Sequence, residues 1–210
     1  MKKLLILNGS PKKRKSQSEK FAAEILKNLS GEEFEVDKVY LYELNYSAYL
    51  YEQIYSADMV VLATPLYIDC LPAKVIEMLE GLQDYPNVAS GEKVPEVYLI
   101  MNCGFWEHTH NRLAISIVER FCSQNGFAYM QGISIGSGAL ITQENQFQQV
   151  ERAVQKLSNT IKGKEVATKT IEIQAKMFRF RFIKKSDDMW LNAVKKKGWT
   201  AEKLKKRYYE

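Results

Sequence analysis

Three short runs of purely apolar residues constrain this chain more than anything else in it: Leu4-Leu5-Ile6-Leu7, Met59-Val60-Val61-Leu62-Ala63 and Val97-Tyr98-Leu99-Ile100-Met101. A strand with one wet face alternates apolar and polar side chains. An unbroken apolar run of this length is what a strand covered on both faces requires. Between the runs the period changes to that of a helix. Phe21, Ile25, Leu26 and Leu29 form one stripe, and Val75, Ile76, Leu79 and Leu82 a second. Leu113, Ile117, Val118 and Phe121 form a third, and Phe147, Val150, Val154, Leu157 and Ile161 a fourth. Residues 51–57 add a short helix. Phe34 to Tyr42 carries Glu35, Asp37 and Lys38 among its apolar residues, the mixture expected of an edge strand. A fifth strand is expected over Ala128 to Ile135.

Strand alternating with helix implies parallel strands joined by helical crossovers. The expectation is an open three-layer α/β sandwich over residues 1–162, with a five-stranded parallel sheet in the order 2-1-3-4-5. Residues 163–210 are a basic C-terminal arm with short helices. Charge supports that division. Residues 1–162 hold 16 Lys/Arg against 19 Asp/Glu, a net of −3, and residues 163–210 hold 14 against 6, a net of +8. The alternation of basic and apolar residues over 176–184 suits an extended arm, and Asp187 to Arg207 suits two short helices separated by Gly198.

No stretch reaches the length of a spanning helix, and the apolar run at the N-terminus stops at Asn8-Gly9-Ser10-Pro11, so the chain is expected in the cytoplasm. Cys70, Cys103 and Cys122 are odd in number and widely spaced, which excludes a disulfide framework and a Cys-x-x-Cys metal site. His108 and His110 stand two apart, a spacing that does not share a helix face, and no metal is expected.

In a sheet of this order, ligands bind at the carboxyl ends of the strands, near the first and third. The loop after Leu7 opens with Gly9-Ser10-Pro11-Lys12, continues through three further cations, and closes on Ser16-Gln17-Ser18-Glu19. Ser16 and Glu19 have capping-box spacing, so a helix starts near Ser16 or Gln17. Unpaired N–H groups, serine hydroxyls and cations together suit a terminal phosphate. Gly-x-x-x-x-Gly-Lys is absent, which argues against nucleoside triphosphate hydrolysis. The loop after Ala63, Thr64-Pro65-Leu66-Tyr67-Ile68-Asp69-Cys70-Leu71-Pro72, offers apolar and aromatic surface to a flat ring. The loop after Met101, Asn102-Cys103-Gly104-Phe105-Trp106, permits close backbone approach at Gly104. Gly136-Ser137-Gly138 lacks the remainder of a dinucleotide fingerprint and reads as a loop.

Taken jointly, Gly9-Ser10-Pro11-Lys12, Ser16-Gln17-Ser18 and Pro65-Leu66-Tyr67 leading to Pro72 resemble the flavodoxin-like NAD(P)H-dependent FMN reductases, a family that includes the flavin domain of iron–sulfur flavoproteins. The resemblance spans roughly residues 1–160. It implies a flavodoxin-like fold and an oxidoreductase that carries FMN and passes a hydride from NAD(P)H to a small-molecule electron acceptor. It also implies that Ser10, Lys12, Ser16, Gln17 and Ser18 hold the FMN phosphate. Pro65, Leu66, Tyr67 and Ile68 would line one side of the ring, and Cys103, Gly104 and Phe105 would close the other. The cofactor carries the chemistry, so no side chain is assigned as acid or base. A homo-oligomer, such as a homodimer, is expected; neither membrane nor nucleic acid is an expected partner. The chain departs from the family pattern at Lys12 for Arg, Gln17 for Asn, Ile68 for an aromatic and Asp69 for glycine. It lacks the cysteine cluster of the iron–sulfur branch. Two alternatives stay open: a flavodoxin-type electron carrier, and a binding module that uses the basic tail.

Overall fold

A computed structural model of the chain describes residues 1–29, 31, 33–44, 48–85, 95–142, 146–176 and 179–196. It divides the chain into two compact units, Met1–Ala175 and Lys176–Glu210.

The first unit is built on six parallel strands: β1 (Lys2–Asn8), β2 (Phe34–Tyr40), β3 (Met59–Pro65), β4 (Glu96–Asn102), β5 (Ala128–Ile135) and β6 (Ile171–Ile173). Their order is β2-β1-β3-β4-β5-β6. The expected five-strand order is present, with the mixed strand β2 at one edge. The sixth strand corrects the expectation: β6 pairs Ile171 and Ile173 with Ile133 and Ile135 of β5. It comes from the segment assigned to the basic arm, so the first unit runs to Ala175 rather than 162. Three residues are too few to display a period, which is why the strand was invisible in the sequence.

Pleating sends alternate residues of each apolar run to opposite faces. Leu4 and Ile6 of β1 join one core with Val61, Ala63, Ile100 and Ile133. That core is covered by α1 (Gln17–Leu29) and α6 (Phe147–Ile161) through Phe21, Ile25, Val150, Val154 and Leu157. Leu5 and Leu7 join the other with Val60, Leu62, Leu99 and Met101. There the cover is α2 (Ala48–Ser56), α3 (Ala73–Asp84) and α4 (Arg112–Gln124). Ile6, Leu99 and Ile100 are fully buried; each such side chain stabilises the fold by roughly 1.5–3 kcal/mol. In α4 the buried stripe is Ala114, Ile115, Val118 and Cys122, which shares only Val118 with the expected one: Leu113 is 64% exposed. Two adjacent stripes of this helix carry apolar residues, and periodicity does not distinguish them.

The strap between α6 and β6 is tied to the sheet. Gln131 Nε2 donates to Thr168 Oγ1 at 2.8 Å, Gly136 N to Ile173 O at 2.8 Å, and Trp106 Nε1 to Ala175 O at 3.3 Å. A chain ended after Lys162 loses all three and uncovers Ile133 and Ile135. Its thermal midpoint is expected roughly 5–10 °C below that of a chain ended after Ala175, measured by circular dichroism on the two truncations.

The second unit contains α7 (Arg179–Lys196), one continuous helix where an extended arm was expected at its start. The basic–apolar alternation stops at Phe182-Ile183, and a helix satisfies its own backbone without a partner strand. Phe182 is buried, whereas Ile183, Trp190 and Leu191 are exposed rather than packed. Gly198 and the second expected helix lie outside the described residues. No helix among the described residues is long and apolar enough to cross a membrane.

Candidate functional site

Strands β1, β3 and β4 end side by side, and the loops that leave them enclose a cleft of about 200 Å³. Its phosphate-loop side is formed by Ser10, Lys12, Ser16, Gln17 and Ser18; its other sides are formed by Pro65, Leu66 and Tyr67, and by Cys103 and Gly104. These residues are brought together from three loops at least 36 positions apart in the sequence. Ile68 and Phe105, expected beside them, are not among the residues that line the cleft. Ile68 is 91% exposed, and Phe105 turns to stack on His110 with ring centroids 4.2 Å apart.

The phosphate-loop end of the cleft is closely packed and hydrogen-bonded. Gly9 sits where a Cβ would meet Val75 Cγ2 at 2.5 Å and Thr64 Oγ1 at 2.8 Å, so only glycine lets β1 turn this close to β3. Asn8, fully buried, accepts from Ser10 N at 2.9 Å through Oδ1 and donates through Nδ2 to Glu19 Oε2 at 3.0 Å. Ser16 caps α1: its Oγ accepts from Glu19 N at 3.0 Å. The reciprocal half of a capping box is absent, because the Glu19 carboxylate is taken by Asn8 and by Lys38 Nζ at 2.5 Å. Ser18 Oγ accepts from Asn102 Nδ2 at 3.0 Å. Both buried hydroxyls thus act as acceptors toward the protein, and no hydrogen bond among the described residues uses their own O–H, which suits donation to an anion. Of the four loop cations, Arg14 is committed elsewhere, paired with Glu43 and lying over the Tyr40 ring. Lys12 stays on the cleft.

The second loop folds as a two-residue hairpin. Tyr67 N donates to Cys70 O at 2.8 Å, and Cys70 N to Tyr67 O at 3.2 Å. Between them Ile68 (φ 51°) and Asp69 (φ 56°) are both left-handed. This is the geometry that favours glycine, asparagine or aspartate, so Asp69 fits where the resemblance expects glycine. Ile68, β-branched, is strained there by roughly 1–2 kcal/mol.

Asn102, Pro11 and Ala139 complete the lining and were not anticipated. Asn102 is the more telling: buried, it donates to Ser18 Oγ and to Thr64 O at 3.1 Å, while its own carbonyl accepts from Leu66 N at 2.6 Å. It joins all three loops. Its signal in the sequence was a single amide ending a run of apolar residues, as Asn8 does in β1. Ala139 arrives through the turn after β5, where the sequence predicts only a loop. Gly136-Ser137 leads straight into a one-turn helix, α5 (Gly138–Ile141), and Gly138 N donates to Cys103 O at 2.9 Å. Thr142 Oγ1 then donates to Gln17 Oε1 at 2.6 Å.

Cys103 is buried at the cleft floor, with its thiol directed to the Phe105 and Glu107 carbonyls. Burial chiefly, with the Glu107 and Asp69 charges adding to it, pushes this thiol from 9.0 up to about 11. Burial pushes Cys122 up to about 12. Neither is a ready nucleophile. Both values lie above the unfolded value, so their contribution to stability is complete below pH 9 and is lost as pH rises through 11 and 12. Unfolding free energy is therefore expected to fall steadily above about pH 9. At pH 8 a thiol reagent is expected to label half-buried Cys70 in the native protein, and Cys103 and Cys122 only after unfolding. Denaturant titrations across pH and mass-mapped labelling check the two statements.

No protein-family model matches the chain, and no curated protein matches it by sequence. Solved structures do match by fold. An FMN-dependent NADH-azoreductase from Bacillus anthracis, solved with FMN, superposes with a TM-score of 0.64 at 14% identity, covering 77% of this chain and 99% of that one. RosB, with bound 8-demethyl-8-formylriboflavin-5'-phosphate, gives 0.56 at 16% identity, covering 80% and 83%. The Trp repressor binding protein of Bacillus subtilis gives 0.57 at 14% identity, covering 73% and 96%. The first unit therefore has the flavodoxin-like α/β fold. At this identity the likeness speaks to the fold alone.

Proposed function

We propose that the chain is an FMN-dependent NAD(P)H oxidoreductase that delivers electrons to a small-molecule acceptor. The observation that carries the reading is the polarity of the cleft. One end presents Ser10, Ser16 and Ser18 hydroxyls, the start of α1 and Lys12; the other presents Pro65-Leu66-Tyr67 against Cys103-Gly104. A phosphate suits the first end, and a flat heteroaromatic ring suits the second. The residues fit FMN: two buried serines have an O–H that no bond among the described residues uses, and a Cβ built on Gly104 would meet nothing within 4 Å, leaving room beside the backbone. That an azoreductase solved with FMN and RosB with a flavin phosphate share the fold supports the same assignment.

Within this reading Ser10, Ser16, Gln17 and Ser18 bind the phosphate, with Lys12 balancing its charge. Pro65, Leu66, Tyr67, Cys103 and Gly104 orient the ring and exclude water from one side. Asn102 holds the phosphate loop and both ring loops in register. FMN, when bound, supplies the two-electron chemistry between nicotinamide and acceptor. The chain's own task is binding, orientation and electrostatics, and no side chain acts as acid or base. A homodimer is part of the same proposal.

The test is spectroscopic. Titration of the purified protein with FMN is expected to produce a saturable, protein-bound flavin spectrum. NADH or NADPH is then expected to bleach it without any partner reductase. A flavin that binds but is bleached only by added reductase is the signature of an electron carrier instead. No binding removes the flavin reading altogether.

A further inference from the structure

We propose that α7 is an interfacial helix that lies in the plane of an anionic phospholipid bilayer, with Ile183, Trp190 and Leu191 among the acyl chains and the lysines on its two flanks at the headgroups. This binding surface is independent of the flavin reading above.

Winding residues 181–196 into one helix sorts them by charge. At 3.6 residues per turn, Arg181, Lys184, Lys185, Lys195 and Lys196 share an arc of about 120°. Met189, Ala193, Trp190, Ile183 and Val194 share an arc of about 140° on the other side, and Leu191 stands just beyond it. That side is open: Trp190 is 63% exposed, Ile183 52%, Leu191 47% and Met189 37%. Phe182, within the same arc, is buried and adds nothing to the open surface, and Ser186 is the arc's one polar member. Arg181, Lys184, Lys195 and Lys196 are exposed, and Lys185 is half-buried. Asp188 lies among the cations, and Asp187 between Val194 and Leu191. The helix nevertheless carries six Lys/Arg against two Asp, a net of +4, and residues 197–210 hold five Lys/Arg against two Glu, a net of +3. The period-two alternation over 176–184 conceals this sorting, which is why a membrane is not among the partners expected from the sequence.

Charge says what covers the apolar side. Lys184 borders it beside Leu191, and Lys196 borders it beside Met189, so cations stand on both rims. Lysine stems are long enough for the apolar residues to sink while the ammonium groups stay level with the lipid phosphates. Trp190, near the middle of the apolar arc, has an amphipathic ring suited to the same level. The helix is not apolar enough to cross a bilayer, and a helix with a wide apolar side and a cationic back lies flat at the interface instead. Other occupants fit less well. A second copy brings the same segment, residues 163–210 at a net of +8, to the contact, and like charges oppose it. A nucleic acid needs only the cationic side and leaves Trp190 and Ile183 in water.

Co-sedimentation of the full chain with lipid vesicles tests this. Phosphatidylcholine vesicles containing about 30% phosphatidylglycerol are expected to bind it at least about tenfold more tightly than phosphatidylcholine alone, and about 0.5 M salt to remove most of that difference. Tryptophan emission is expected to shift to the blue on the anionic vesicles, and to shift less in Trp190→Phe. Ile183→Ser with Trp190→Ser thins the apolar side, and Lys184→Glu with Lys195→Glu reverses the cationic one; each pair is expected to weaken binding to anionic vesicles about tenfold or more. All four positions are exposed, and circular dichroism of each variant checks that the fold is kept. FMN titrations of both variants should match the parent, so a failure here leaves the flavin reading untouched. No binding to either vesicle, binding that ignores lipid charge, or binding unmoved by either pair overturns the proposal. So does a dimer, seen by sedimentation velocity without lipid, that the Ile183→Ser, Trp190→Ser variant splits, because a second copy then covers the helix. Tighter binding to a duplex oligonucleotide than to the anionic vesicles, unchanged by that variant, overturns it in favour of nucleic acid.

Discussion

Replacing Ser16 and Ser18 together by alanine is expected to weaken FMN binding by about 1–3 kcal/mol, roughly one to two orders of magnitude in Kd. Each hydroxyl already accepts a bond within the protein, Ser16 from Glu19 N and Ser18 from Asn102 Nδ2. What remains is the O–H, and a dianionic phosphate is the partner that makes best use of it. The two serines contribute differently to folding. Ser16→Ala removes the cap of α1 and is expected to cost about 1 kcal/mol of stability by itself. Ser18→Ala leaves Asn102 Nδ2 its bond to Thr64 O and is expected to cost less. Fluorescence titration of apoprotein with FMN, beside a denaturant melt of each single variant, separates binding from folding. An unchanged Kd in a protein with an intact melt would remove these serines from the site.

The largest effect on stability is expected from a methyl group placed where no one would look for a core. Gly136→Ala puts a Cβ 2.4 Å from Trp106 O, 2.6 Å from His108 N and 2.8 Å from the Glu107 carbonyl carbon. All three are backbone atoms, so no side chain can swing aside and the loop after β4 itself must move. A cost of about 2–4 kcal/mol is expected. The displaced loop carries Cys103 and Gly104, so FMN affinity should fall with it. Gly104→Ala is the internal control: its Cβ meets nothing within 4 Å, and stability should be unchanged within about 0.5 kcal/mol. Chemical denaturation of the two variants beside the parent decides it. Equal midpoints for all three would mean that the loops are looser than the packing around Gly136 implies.

Both outcomes depend on contacts that no local pattern announces. Ser137 N donates to Phe105 O at 2.6 Å and Gly138 N to Cys103 O at 2.9 Å, so the turn after β5 is what clamps the third loop. In the sequence, Gly136-Ser137-Gly138 resembled a fragment of a dinucleotide fingerprint and, failing that, a plain connection. Its function is to let two backbones approach, a property of the pair of loops and not of either one. The role of Asn102 is hidden in the sequence for a related reason. A single asparagine at a strand end has no period and no motif, and its importance comes from reaching Ser18, Thr64 and Leu66 at once.

Strand runs, helix stripes and capping were legible because each depends on neighbours a few positions away. Unbroken apolar runs require a sheet covered on both faces, and their alternation with helical stripes requires parallel crossovers; the strand order and the position of the cleft at the ends of β1, β3 and β4 follow from that. Ser16 as the cap of α1 follows from local backbone chemistry in the same way. Tertiary structure decided the remainder. It buried Ala114, Ile115 and Cys122 with the expected Val118 in α4 and left Leu113 and Ile117 exposed, since neighbouring stripes both carry apolar residues and only the sheet beneath selects between them. It recruited the three residues of β6, too few to show a period, because the open edge of β5 offered them a partner. It turned Ile68 and Phe105 out of the cleft wall, since a left-handed hairpin and a ring stack on His110 are set by geometry rather than by residue type. The sequence alone determined the first five strands, the helices between them and the order in which those strands pair; close approach between distant backbones determined which side chains meet in the cleft.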